Sequence, residues 1–264
     1  MHLKPSLGIL KMRDMEKKYK LTRHAPSGDL AFFVKHYWIV SWDLTGEEPY
    51  LQHVIPNPCV NMVIEHGKSG IFGPAKHKFS YLLKEKGCVF GVKFKPGGFY
   101  PFCKRPISSL TERAATIAGM FGADAGCVES SILSQTDERR MVELAEKILR
   151  PKLPDKDENI IFVNRIIDRI NEDRDIIKVD DVCRYFHINI RKLQRLFDQY
   201  VGVSPKWVIK LCRLQNAAES VDRGQACDWL KLSSDLGYFD QSHFIKDFRT
   251  VIGQTPEEYA RGKN

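Results

Sequence analysis

Two polar faces in the last third of the chain carry side chains suited to hydrogen-bonding with the edges of DNA bases. In the stretch NIRKLQRLFDQYVGVSP (residues 189–205) they are Arg191, Gln194 and Arg195, spaced to share one side of a helix. Arginine can bond guanine O6 and N7 together, and glutamine can do the same for adenine N6 and N7. In the stretch DQSHFIKDFRTVIGQTP (residues 240–256) the corresponding side carries Gln241, Ser242, Ile245, Lys246 and Arg249. Gln241 and Ser242 can reach base edges, Lys246 and Arg249 can neutralise phosphates, and Ile245 offers only apolar contact such as with a thymine methyl. Asn189 and Lys192 complete the first set. For any one of these side chains alone, the competing reading is a charged face that solvates a surface helix.

The elements that must position them are duplicated. Phe197, Gly202, Ser204 and Pro205 return as Phe248, Gly253, Thr255 and Pro256 at a constant offset of 51 residues. Each copy reads as the second helix of a helix-turn-helix. In the first unit Val182, Cys183 and Phe186 form the apolar face of a short scaffold helix. Asn189 caps the next helix, and Leu193, Leu196, Phe197 and Tyr200 form its buried side. In the second, Asp228 to Leu236 is the scaffold, Gly237 the turn, Asp240 the cap, and Phe244 and Phe248 the core. Ser204 to Val221 reads as a connecting helix with Ser204 as N-cap and Pro205 at its first position. A rigid connector fixes the separation of two readers, which must be about 34 to 36 Å to enter successive major grooves on one face of DNA. Thr255-Pro256-Glu257-Glu258 resembles a capping box that opens a final helix. Upstream, Ile160, Val163, Ile166, Ile167 and Ile170 form a helical stripe, so this part of the chain is expected to be all-α.

The N-terminal part reads differently. Residues 1–28, with Lys17, Lys18 and Lys20 around Tyr19, have the composition of a solvated lead-in. From Ala31 to Leu44 the chain is aromatic and β-branched, and alternation sets Val34, His36, Trp38, Val40 and Trp42 on one side of a strand. Further strands are expected at Tyr50 to Ile55, Cys59 to Glu65, Ile71 to Gly73 and Cys88 to Lys95. The turns between them are marked by Pro56-Asn57-Pro58, His66 to Gly70 and Pro96-Gly97-Gly98. Asp137 to Leu149 then repeats Met141, Leu144, Ala145 and Ile148 at helical spacing. The fold class is α+β in two domains: a β-barrel or sandwich-like domain with a helical tail over residues 1–153, and an all-α domain over residues 157–264. Pro151 to Asp157 has the composition of the linker between them.

Composition narrows the function classes. The 264 residues carry a net charge of +8, yet from Asp155 onward 18 Lys and Arg balance 18 Asp and Glu. The excess positive charge therefore lies in the N-terminal part, and bulk charge does not locate a nucleic-acid site. The seven cysteines (Cys59, Cys88, Cys103, Cys127, Cys183, Cys212 and Cys227) are odd in number and form no C-x-x-C pair. That pattern points to reduced thiols in a cytoplasm. No membrane span or secretory leader is expected, nor a cofactor. No metal site is expected either, because His36, His53, His66 and His77 have no partner at close ligand spacing.

From about Asp157 to Arg261, through LQRLFDQYVGVSP, LGYFDQSHFIKDF and IGQTPEEY, the chain closely resembles the DNA-binding domain of AraC/XylS-type transcriptional regulators. The resemblance implies two helix-turn-helix units joined by a long helix and bound to an asymmetric site on double-stranded DNA. It assigns base reading to Arg191, Gln194 and Arg195 and to Gln241, Ser242 and Ile245. It also implies an N-terminal sensor for a small-molecule effector, a homodimer, and RNA polymerase as a partner. Trp38 and Trp42, on one strand face, and His53 are the candidates for lining an effector pocket, with core packing as the competing role for the two indoles. The chain departs from the pattern at Lys178, where a Ser or Thr cap is usual, and at His187, where the turn usually has Gly. Ser242 and Ile245 make the second unit the weaker reader. Two other readings are a bifunctional DNA-modifying or repair enzyme with the same DNA-binding domain, which needs an upstream nucleophile or metal cluster, and a protein-protein module.

Overall fold

The computed structural model describes residues 18–222 and 229–261. Lys17, Cys227 and Asp228 lie outside the described residues. The strands are β1 (Lys20–His24), β2 (Val34–Leu44), β3 (Tyr50–Val54), β4 (Asn61–Ile64), β5 (Gly70–Phe72), β6 (Phe79–Leu83), β7 (Glu85–Phe94) and β8 (Ala114–Ala115). Six form an antiparallel sheet in the order β1-β2-β7-β4-β5-β8, and β3 and β6 pair separately. No pairing among the described residues joins the outer strands β1 and β8. The arrangement is therefore a sandwich-like pair of sheets with no barrel closure.

The polar lead-in conceals β1, which pairs with β2 from Lys20 opposite Ser41 to His24 opposite Tyr37. Its sequence, KLTRH, is too polar to declare a strand; the pairing edge offered by β2 supplies the reason. The alternation expected in β2 is broken at its start. Val34 faces Phe94 while His36 faces Lys93, a bulge that turns Val34 into the core and leaves His36, Trp38 and Trp42 on the other face.

Helices α1 (Tyr100–Cys103), α2 (Ile117–Phe121), α3 (Ala125–Leu133) and α4 (Glu138–Leu149) follow. Tyr37, Ile39, Phe90 and Val92 bury one face of the sheet against Ile132, Met141, Ala145 and Leu149. At the edge of that layer Glu146 accepts from Ser27 Oγ at 2.6 Å and from Arg150 at 2.9 Å.

The C-terminal part is helical throughout its described residues: α5 (Glu158–Glu172), α6 (Val179–Phe186), α7 (Ile190–Tyr200), α8 (Pro205–Asp222), α9 (Trp229–Asp235), α10 (Gln241–Ile252) and α11 (Pro256–Ala260). The isoleucine stripe of α5 is buried as its spacing requires. Helix α8 has two buried sides. Val208, Ile209 and Cys212 close the first core with Leu193 and Phe197, and Leu211, Leu214 and Ala218 close the second with Phe244 and Phe248. One rigid rod thus belongs to both helix pairs.

Candidate nucleic-acid interface

Each polar face is built by a local device that its sequence encodes. Asn189 Oδ1 accepts from Lys192 N at 2.8 Å, and Asp240 Oδ1 accepts from His243 N at 2.7 Å, so equivalent residues of the repeat cap α7 and α10. His187 takes φ 50° and ψ 42° in the first turn, the left-handed conformation that Gly237 takes at φ 67° in the second. Lys178 gives α6 no side-chain cap, but the Asp181 carboxylate reaches back to the amides of Lys178 at 2.9 Å and Ile177 at 3.1 Å. The entry to the first unit is therefore fixed from inside the helix.

On α7 the side chains of Arg191, Lys192, Gln194 and Arg195 are exposed. None of them has a hydrogen-bond or ion-pair partner among the described residues. Their apolar counterparts Leu193 and Phe197 are fully buried beneath them. On α10 Gln241, Ser242, Lys246 and Arg249 are exposed. Ile245 is half-buried: it packs partly against the second core while remaining on the outer side of the helix. Ser242, Ile245, Lys246 and Arg249 line an open concavity of about 560 Å³ on the outer side of this helix. Asp247, at its inner edge, bonds Lys210 and Tyr238, each at 3.1 Å, and ties α10 to the connector α8.

The β-rich part grips the helical part at both repeats, which the sequence did not reveal. Thr111 Oγ1 donates to the Gly202 carbonyl at 2.5 Å, and Lys78 Nζ to the Gly253 carbonyl at 3.5 Å. Gly202 and Gly253 are equivalent turn residues after α7 and α10, at φ 82° and 95°. Phe33 enters the first helical core and Ile55 the second. The Tyr100 and Tyr200 rings meet at a tilt with their centres 4.5 Å apart, and Asn164 donates to the Pro96 carbonyl at 2.8 Å. Gly97, at φ 79°, lies against Tyr200.

Trp38 and Trp42 lie together on the face of the large sheet opposite the helices, and Trp42 meets Tyr81 of β6 edge-on at 6.1 Å. His53 is elsewhere. Gln52 is the residue opposite Tyr81, so its neighbour His53 points outward, exposed and bonded to Ser80 at 2.9 Å. Among the described residues no cluster of His, Cys, Asp and Glu is arranged to hold a metal ion.

Residues 182–262 match a helix-turn-helix domain family, and residues 22–116 match a domain of unknown function (DUF6597). Over 99 residues the chain is 31% identical to the F1 operon positive regulatory protein of Yersinia pestis, covering 37% of this chain and 33% of that protein. Over 67 residues it is 31% identical to an uncharacterized HTH-type transcriptional regulator of Haemophilus influenzae, covering 25% and 22%. The chain thus spans 33% and 22% of the lengths of these two relatives. A solved transcriptional regulator from Chromobacterium violaceum, described as an AraC-type DNA-binding domain-containing protein, aligns with 38% of this chain and 85% of its own at 25% identity and a TM-score of 0.31. The unsaturated fatty acid bound ToxT of Vibrio cholerae aligns with 98% and 97% at 13% identity and a TM-score of 0.39.

Proposed function

Because residues 182–262 match a helix-turn-helix domain family and the sequence there resembles the AraC/XylS type, we propose that the chain is a sequence-specific DNA-binding transcription regulator whose helices α7 and α10 enter successive major grooves. The observation that carries this reading is the pair of equivalent, capped helices that present exposed side chains of base-reading and phosphate-binding type. Unpartnered Arg191, Gln194 and Arg195 suit base edges, and Lys246 and Arg249 suit phosphates. The first helix is the principal reader and the second principally an anchor, since Ile245 packs partly against the second core and Ser242 is short.

In this reading residues 157–264 form the DNA-binding domain and residues 1–153 a regulatory domain that responds to a small-molecule effector and has no catalytic role. The docking of the β-rich part on both repeats supports regulation. A change in that part would alter contacts that hold both readers and so shift the population of DNA-competent arrangements. RNA polymerase and a second copy of the chain are the expected protein partners, and the cytoplasm the expected location. No helix among the described residues is long and apolar enough to cross a membrane.

Selection from sheared genomic DNA followed by mobility-shift titration tests the reading. It predicts a preferred fragment bound with a Kd on the order of 10⁻⁸ M or tighter, weakening steeply with salt. Equal affinity for every fragment would contradict it.

A further inference from the structure

The turns of the two helix-turn-helix units differ by one residue. In the first unit Ile188 N donates to the Cys183 carbonyl at 3.1 Å, and in the second Tyr238 N donates to the Ser233 carbonyl at 2.9 Å. These bonds close the two turns in the same way, and their residues stand 50 positions apart. The N-cap bonds that follow, Lys192 N to Asn189 Oδ1 and His243 N to Asp240 Oδ1, stand 51 positions apart. The second unit therefore has one extra residue between its turn and its helix, and that residue is Phe239.

Phe239 is fully exposed, at 102%. Tyr238 takes the structural place instead. It corresponds to the buried Ile188; its ring meets that of Phe244 edge-on at 5.4 Å, and its hydroxyl bonds Asp247 at 3.1 Å. An apolar residue just before an N-cap commonly packs on the fourth residue after it. Here that fourth residue is Phe244, which Tyr238 already covers. Phe239 makes no ring contact among the described residues and adds no burial to the fold. It stands directly before the cap of α10, at the end of the helix that carries the exposed Gln241 and Ser242.

We propose that Phe239 is a specificity-determining residue whose ring packs on the 5-methyl group of a thymine in the major groove entered by α10. This rests on the regulator reading and names what its second helix recognises. In a helix-turn-helix the N-terminal residues of the second helix meet base edges, and Phe239 lies at that end. The chemistry of the ring selects the target. A phenyl group has no donor for a phosphate oxygen or for a purine N7, so phosphate anchoring and hydrogen-bonded reading are both closed to it. The thymine methyl is the apolar group among the major-groove base edges. Beyond Gln241, the half-buried Ile245 and the short Ser242 leave α10 few other means of telling one base pair from another.

The test uses the full chain on its selected DNA site, with affinity read by mobility-shift titration. Each thymine of the site is replaced in turn by uracil, which removes only the methyl. One replacement, in the half of the site covered by α10, should weaken binding about fourfold, as the loss of one buried methyl does. Phe239→Ala should weaken binding to the thymine site about tenfold and abolish the distinction between thymine and uracil at that position. Phe239→Leu, which keeps an apolar contact, should retain part of both. The Tm of Phe239→Ala should match that of the parent, whereas Tyr238→Ala should lower it. Specific binding with no effect of uracil at any position, or a uracil effect that persists in Phe239→Ala, would overturn the proposal and leave the regulator reading standing. Full DNA affinity in Phe239→Ala, the outcome expected if the ring meets a protein partner instead, would do the same. A Tm loss in Phe239→Ala as large as that in Tyr238→Ala would place the ring in the fold and also overturn it. A chain that prefers no DNA site would contradict both the proposal and the regulator reading.

Discussion

Thr111 Oγ1 donates to the main-chain carbonyl of Gly202 at 2.5 Å, so a residue of the N-terminal part holds the turn that ends α7. Lys78 reaches the equivalent carbonyl of Gly253 in the second repeat. The internal duplication thus supplies two matching handles, and the β-rich part holds both. In the proposed reading, a movement within that part would be transmitted to α7 and α10 together, a rigid-body route to switching that needs no change inside either helix pair.

Gly202→Ala and Gly122→Ala separate this contact from backbone strain. Both glycines have positive φ, but a Cβ at Gly122 meets nothing, and one at Gly202 would lie 2.8 Å from Ile107 Cγ2 and 2.9 Å from the Ile107 carbonyl oxygen. Gly122→Ala is expected to cost about 1 kcal/mol through the left-handed backbone alone. Gly202→Ala should cost clearly more, as read by urea denaturation. Equal losses would show that the interdomain contact yields without resistance.

The two polar faces make separable predictions. Arg195→Ala should weaken binding to the preferred site by about 1 to 3 kcal/mol and relax specificity at one base pair. Lys246→Ala should weaken binding to all sequences alike and reduce the salt slope by about one. Mobility shifts against the preferred site and single-base variants, at several salt concentrations, distinguish the two patterns. A specificity change in Lys246→Ala with none in Arg195→Ala would reverse the assignment.

His36 gives the fold a pH dependence of definite sign. Its imidazole is held at about 3, against an ordinary 6.5, by burial first and by the neighbouring cations after it. Between these values the unfolded chain takes up a proton that the folded chain does not, so this residue's contribution is present above pH 6.5 and is lost as pH falls toward 3. His36→Gln should therefore lose less Tm than the parent between about pH 7 and pH 5. Parallel Tm–pH curves would contradict the placement of the half-buried His36 beside Lys93, Arg23 and Lys35.

The substitute cap of α6 can be tested as well. Asp181 accepts from two main-chain amides at the start of the helix. Asp181→Ala is expected to cost about 1 kcal/mol, and Lys178→Ala much less, as measured by denaturation. Comparable losses would mean that the lysine contributes a cap of its own.

Sequence reading captured the helical half because its signals are local. Asn189, Asp240, Ser204 and Thr255 were legible as caps, and the apolar side of α7 was set by Leu193, Phe197 and Tyr200 at helical spacing. The N-terminal half was less legible because its signals are not local. The strand Lys20–His24 exists through pairing with β2, and the Val34 bulge through the register of β7. Alternation could place Trp38 and Trp42 on one face. It could not separate His53 from them, since the relative orientation of two sheets is written in neither strand. The partial packing of Ile245 on the second core is likewise not written in its own helix, since that core is assembled from residues of several helices.

The central claim is tested most directly by methylation-interference footprinting of the full chain on its selected DNA site. Two helices joined by the rigid connector α8 predict two short interference patches at major-groove purines, about one helical turn apart on one face of the duplex. In Arg195→Ala, contact at a base in the α7 patch should disappear while the other patch persists. A single continuous patch, or protection confined to the minor groove, would contradict the account.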